Sequence, residues 1–216
     1  VNTLINPAKL KNLVYETPIQ KNAGFDVYES PIKDHNYLIT VDVARGLGND
    51  YSAFVVFDIT NFPYKAVAKY RNNEIKPMLF PSIIADIGKA YNKAFILCEV
   101  NDIGDQVASI LNYDLEYDNL LMCSQRGRAG QVVGAGFSGK RSQLGVRTTA
   151  AVKKLGCSNL KTLLEDDKIL IIDYDIISEL TTFSQKHNSF EAEEGCNDDL
   201  ATVSYTHLTL PTIVGV

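Results

Sequence analysis

Histidine and cysteine are scarce in this sequence, with three of the first (His35, His187, His207) and four of the second (Cys98, Cys123, Cys157, Cys196) among 216 residues. The cysteines lie far apart and form no Cys-x-x-Cys, and none pairs with a nearby histidine, which argues against a zinc site and against a disulfide framework. Three histidines leave few candidates for a histidine-based active site. No apolar run approaches the roughly 20 residues that a membrane span requires. The opening VNTLINPAKLKN has no charged stretch followed by an apolar core, so no secretory signal is read there and the expectation is a cytosolic chain with no membrane partner.

What is present is globular composition, 45% hydrophobic and 22% charged, at a length suited to one domain with a short extra segment. The net charge of −5 would ordinarily discourage nucleic-acid binding, but it is unevenly spread. Between Arg126 and Lys168 nine basic residues face three acids, whereas the remainder holds 12 basic and 23 acidic residues. An acidic body with one basic segment is the distribution expected of a nuclease whose carboxylates are clustered apart from its DNA track. A solvated helix face would look much the same.

Residues 1–34 read as a short helix and an irregular lead-in, punctuated by Pro7, Pro18, Gly24 and Pro31. From Tyr37 the pattern changes. YLITVDV and YSAFVVFDI flank a glycine-containing turn, and KAVAKYR alternates, so three antiparallel strands are expected. Phe80, Ile83, Ile84, Ile87 and Tyr91 recur at helical spacing, AFILCEV returns to strand, Ile103, Val107, Ile110 and Leu111 mark a helix capped by Asn101 or Asp102, and NLLMC is a fifth strand. The fold class is α/β, a mixed sheet of three antiparallel strands followed by alternating helices and strands. SQRGRAGQVVGAGFSGKRSQLG reads as one long loop. Two helices broken at Gly156 follow, then a strand KILIID and a helix IISELTTFSQ.

The chemistry resides in acids. Asp42 sits inside the most apolar strand, where an uncompensated charge is costly, and Glu99 occupies the same position in its own, AFILCEVN being apolar until the acid arrives. Asp198 and Asp199 come as a pair where a last helix should begin, and Asp50 lies across the turn from Asp42. If the first and fourth strands are neighbours, Asp42 and Glu99 project from one end of the sheet and meet Asp198. Converging carboxylates repel one another unless cations lie among them, and oxygen ligands without histidine or thiolate favour Mg2+ or Mn2+. Two such ions suit phosphodiester hydrolysis, with Asp42 bridging both. Taken singly, each acid reads equally well as a turn or helix cap. Lys140, Arg141, Arg147, Lys153 and Lys154 are the candidates for contacts to DNA phosphates. GAGFSGKR, Gly134 to Arg141, has the outline of a phosphate-binding loop, but Arg141 stands where Ser or Thr must hold Mg2+, so it is read as a basic loop.

The segments YLITVDVARGLGNDYSAFVVFDIT, AFILCEVND, TAAVKKLGCSNLKTLLEDDKIL and FEAEEGCNDDL resemble the C-terminal nuclease domain of the large terminase subunits of T-even-like tailed phages, in an order that spans nearly all of the chain up to Leu200. The resemblance implies an RNase H-like fold shared with Holliday-junction resolvases, a metal site at Asp42, Glu99 and Asp198 with Asp50 close by, and cutting of concatemeric double-stranded DNA during head filling. It also implies an upstream ATPase domain missing from this chain, a portal and a small terminase subunit as partners, and the cytoplasm of the infected bacterium as location. The expected organisation is therefore a lead-in at 1–34, a nuclease domain at 35–200 and a tail at 201–216. That tail, ATVSYTHLTLPTIVGV, departs from the apolar helix of the family, and is expected to be non-native and to pack poorly. Another RNase H-type enzyme, such as a junction resolvase or a ribonuclease, remains open, as does a non-catalytic module packed against a portal or motor.

Overall fold

The computed structural model describes residues 2–48, 50–124, 132–135, 142–186 and 189–206. A short helix, α1 (Pro7–Asn12), starts where the Asn6 side chain accepts the Ala8 N–H. Two short strands, β1 (Gln20–Asn22) and β2 (Phe25–Val27), then form a hairpin that pairs with the edge of the main sheet. The lead-in is thus built into the fold, with Leu4, Ile5, Leu10, Val27 and Tyr28 buried.

The sheet's centre is a meander of β3 (Tyr37–Asp42), β4 (Ser52–Asp58) and β5 (Tyr64–Asn72), each antiparallel to the next. These strands form because their apolar, β-branched runs are buried on both faces. Helix α2 (Phe80–Ala90) leads to β6 (Phe95–Cys98), which joins β3 in parallel. The strand order is β1-β2-β5-β4-β3-β6, a mixed sheet as expected. Helix α3 (Gly104–Ser109) runs into a π-helical turn (Ile110–Asp114) and then β7 (Leu121–Ser124).

Four expectations need correction. The basic glycine-rich segment contains two strands, β8 (Val132–Ala135) and β9 (Ser142–Leu144), because β7 offers both of its edges to them. Gly156 does not break a helix: α4 (Ala150–Glu165) is continuous, its buried Val152, Cys157, Leu160 and Leu164 outweighing the roughly 1 kcal/mol cost of an interior glycine. KILIID contributes only two strand residues, β10 (Ile169–Leu170), parallel to β5, and the helix after it, α5 (Tyr174–Thr182), ends where β11 (Phe183–Lys186) begins its hairpin with β12 (Ser189–Ala192). Finally, of the tail expected to pack poorly, residues 207–216 lie outside the described residues, and the part up to Thr206 does pack. It forms α6 (Asp199–Thr206), in which Leu200 to Thr206 are all buried. Burial overrides its weak helix propensity; Thr206 and Ser204 turn their hydroxyls onto the Thr202 and Leu200 carbonyls, satisfying them inside the core.

Strand alternation sorts the core into two layers. Tyr37, Ile39 and Val41 face α2 and α3, with Phe54, Val56 and Ile96 beside them. Leu38, Val55, Phe57 and Leu97 face the other way, toward α4, α5 and α6. No helix among the described residues is long and apolar enough to cross a membrane.

Candidate metal centre

Asp42 is the last residue of β3, and Glu99 follows the last residue of β6. Val41 and Cys98 are register partners, so the two acids come next to one another at the same end of the sheet, and the Glu99 N–H donates to the Val41 carbonyl at 2.9 Å. The period of two sets their direction: Asp42 shares a face with Leu38, and Glu99 with Leu97, which is the face that α6 covers. Two glycines hold the backbone there. A Cβ on Gly104 would lie 2.0 Å from the Glu99 carbonyl oxygen, and one on Gly145 (φ +70°) 2.2 Å from that of Cys98, so the start of α3 and the residue after β9 press on the strand end as only glycine permits.

Helix α6 delivers the paired aspartates. The Asp198 carbonyl accepts the Thr202 N–H at 2.7 Å and starts the helix, while the Asp198 Oδ2 accepts the Ala192 N–H at 3.3 Å. The Tyr51 backbone, in the turn before β4, acts on the Asp199 carboxyl and lowers it. A cavity of about 340 Å³ opens here, lined by Asp42, Asp50, Asp102, Asp198 and Asp199 among others.

The acids act on one another strongly. Burial pushes the Asp42 carboxyl well above the usual carboxylate range, and the charges of Glu99, Asp199 and Asp198 push it further. Asp199 is raised to about 6, by burial first and then by Asp198 and Asp50, against the opposing guanidinium of Arg71. Glu99 is raised by burial, with the nearby Thr148 hydroxyl and then Lys153 opposing and Asp198 adding, although no hydrogen bond of good geometry joins Thr148 to it. Glu99 is only 9% exposed, and its Oε2 is buried without a hydrogen-bond partner. An all-oxygen set with excess negative charge and an unpartnered buried carboxylate oxygen fits a hard divalent cation.

A second gathering of acids has a different character. Among the described residues, the one group of three acids with carboxylate oxygens all within 4.8 Å of one another is Asp26, Asp173 and Asp175, and the Asp42 cluster is not drawn so tightly. The tighter group already holds a cation: Lys69 Nζ lies 3.0 Å from Asp26 and 3.1 Å from Asp173 and also bonds Asp175, while the Tyr28 hydroxyl donates to Asp173 at 2.6 Å. It is a buried ion cluster that ties β2 and β5 to α5.

The other sequence candidates are dispersed. Arg147 is exposed immediately after Val146, whose backbone bridges to Glu99. Lys153 is half-buried, lies 5.6 Å from the centroid of the Phe183 ring and acts on Glu99, whereas Lys154 faces solvent. Lys140 and Arg141 lie outside the described residues. Asp102 and Asn101 do not cap α3: Asp102 makes a two-pronged bridge to Arg45 at 2.8 and 2.7 Å on the cavity rim, and Asn101 bonds the Thr148 backbone. Sequence reasoning passed over Glu179 and Arg71, whose ion pair (3.3 Å) stands behind the aspartates. The available signal was an acid at position 179 among the apolar residues Ile176, Ile177 and Leu180 of an amphipathic helix.

Comparison with known proteins places these features in a family. Residues 39–208 match the family model described as the terminase RNaseH-like domain. Among solved structures, the large terminase nuclease of thermophilic phage G20c with bound magnesium is 19% identical, with a TM-score of 0.72 over 98% of this chain and 99% of that one. The Thermus phage P74-26 large terminase nuclease domain is 20% identical, with a TM-score of 0.65 over 96% and 94% of the two chains. A large terminase of another thermophilic bacteriophage, in complex with ADP, is 8% identical, and its TM-score of 0.59 covers 95% of this chain but 44% of that longer one. With the mixed sheet, the strand-end acids and a family match running from β3 through α6, this chain belongs to the terminase RNaseH-like domain family.

Proposed function

We propose that this chain is a metal-dependent DNA endonuclease that cuts concatemeric phage DNA during genome packaging. The observation that carries the reading is the convergence of Asp42, Glu99, Asp198 and Asp199 at one sheet end, with the Glu99 Oε2 left without a partner. Asp42, Glu99 and Asp198 would hold Mg2+ or Mn2+, in two sites, with Asp50 and Asp199 close enough to assist. Divalent ions in such a site supply activation of the attacking water and stabilisation of the leaving oxygen.

The chain's own residues do the rest. The strand-end acids are fixed by the β3–β6 register and by the two glycine contacts, so the ligand oxygens are preorganised. Lys153 offsets part of the charge on Glu99. Arg147 and Lys154, both exposed, together with Lys140 and Arg141, contact the phosphates of double-stranded DNA without reading bases. In the infected host's cytoplasm the domain would work beside a terminase ATPase domain, a portal and a small terminase subunit; the longer large terminase bound to ADP, of which this chain covers 44%, supports the first of these partners.

The test is cleavage of linear duplex, a four-way junction and an RNA–DNA hybrid in Mg2+ and in Mn2+, by wild type, Asp42→Asn and Glu99→Gln. Duplex cutting that both variants lose supports the proposal. Preference for the junction or hybrid would instead favour a resolvase or ribonuclease, and no metal-dependent cutting at all would favour a packing module.

A further inference from the structure

An aspartate at the N-cap of a helix ordinarily folds its carboxylate back onto the free N–H groups of the second and third helical residues. The chain does this elsewhere: Asp173 accepts the Ile176 N–H and caps α5, and Thr149 accepts the Val152 N–H and caps α4. At α6 the N-cap is Asp198, because its carbonyl takes the Thr202 N–H, so the amides awaiting a cap are those of Leu200 and Ala201. Asp198 reaches neither. Both donate to a single oxygen of Glu179 on α5, at 2.8 and 3.0 Å.

We propose that Glu179 is a positioning residue: it caps α6 from a neighbouring helix in place of Asp198, and so spares the Asp198 carboxylate, whose Oδ2 takes only the Ala192 N–H at 3.3 Å, for the acid cluster. The inference rests on the reading of that cluster as a metal centre. Its surroundings extend the same device. The Arg71 guanidinium lies 3.3 Å from the other Glu179 oxygen and 4.0 Å from the centroid of the Tyr51 ring, and it opposes the rise of the Asp199 carboxyl. Glu179 thus holds the first turn of α6, and Arg71 links it to Tyr51 in the turn before β4.

Stability alone does not account for this arrangement. Glu179 is 6% exposed, its Oε1 has no hydrogen bond in good geometry, and neither has the Arg71 Nε. A buried pair with atoms left unmatched adds little or nothing to folding, and apolar residues would fill the space as well. Its two good hydrogen bonds go where a metal ligand would otherwise be consumed as a cap.

The experiment is calorimetric titration of Mn2+ alone into wild type, Glu179→Gln, Glu179→Asp and Asp42→Asn, with thermal melts of the same proteins. Gln keeps an acceptor at the same reach and loses the charge; Asp keeps the charge and loses the reach. The expected order is wild type and Glu179→Gln alike, with Glu179→Asp weaker by about 10-fold or more, the size of effect seen when a group behind a metal ligand is removed. The opposite order, in which Asp restores binding and Gln does not, would make Glu179 a buried charge and overturn the capping role, as would Glu179→Asp binding like wild type. If wild type binds Mn2+ no better than Asp42→Asn does, the metal centre itself is wrong and the capping role falls with it.

Discussion

Asp42 and Glu99 stand side by side at the ends of parallel neighbouring strands, one step beyond the Val41–Cys98 register pair, and both turn toward α6. Each residue of the pair ends an apolar run whose burial holds it in place. The strands therefore spend hydrophobic stability on keeping two buried carboxyls together, a cost that the proposed cation would offset.

The Lys69 cluster should behave in the opposite way, as structure rather than as a site. Lys69→Met leaves Asp26 and Asp173 buried without their cation and is expected to cost about 3–5 kcal/mol in urea denaturation, the usual penalty for breaking a buried pair. Asp26→Asn should leave Mn2+ binding unchanged. A loss below about 1 kcal/mol, or an altered Mn2+ titration, would assign the cluster wrongly.

The metal-free protein should lose stability as the pH rises through the titration of Asp199. Its folded value, about 6, lies above the unfolded value of about 3.9, so its contribution is complete below the unfolded value and disappears as the pH passes 6. Thermal melts without metal, from about pH 4.5 to about 7.5, should show wild type falling relative to Asp199→Asn across that window. Mn2+ affinity should rise over the same window, because the ion displaces the proton. A difference between the two proteins that ignores pH would refute this assignment.

The basic residues divide by exposure. Arg147→Ala and Lys154→Ala should each weaken duplex binding equally for unrelated sequences and lower the salt slope by about 0.9, the value for one lost phosphate contact. Lys153→Ala should act mainly on metal binding and cleavage, since Lys153 acts on Glu99. Equal changes of salt slope in Lys153→Ala and Lys154→Ala would show that both lysines reach the DNA.

Much of this arrangement was legible in the chain itself. The strands β3 to β6 and the acids ending two of them stood out because an apolar run closed by a carboxylate is a local pattern. Features that depend on distant partners did not. The strands β8 and β9 exist through β7, Gly156 is tolerated because its helix is packed, and Lys69 is buried only because three aspartates from β2 and α5 surround it. Glu179 is the clearest case, since its role is defined by amides 21 and 22 residues away. The residues from Ala201 to Thr206 misled for the same reason: they form a poor helix alone and a well-buried one beneath the sheet.

That helix offers its own test. Tyr205 is 1% exposed and stacks on Phe183 at 6.1 Å between ring centroids. Tyr205→Ala should cost about 3–5 kcal/mol by urea denaturation, as removal of a buried aromatic ring does. A cost under about 1 kcal/mol would mean that the segment beyond Leu200 does not pack in solution.

The account depends most on whether the strand-end acids bind metal together. Mn2+ titrated calorimetrically into wild type, Asp42→Asn, Glu99→Gln and Asp26→Asn measures this directly. Saturable binding in wild type and Asp26→Asn, lost in Asp42→Asn and Glu99→Gln, is the predicted result. Wild-type affinity retained in Asp42→Asn or in Glu99→Gln would contradict it.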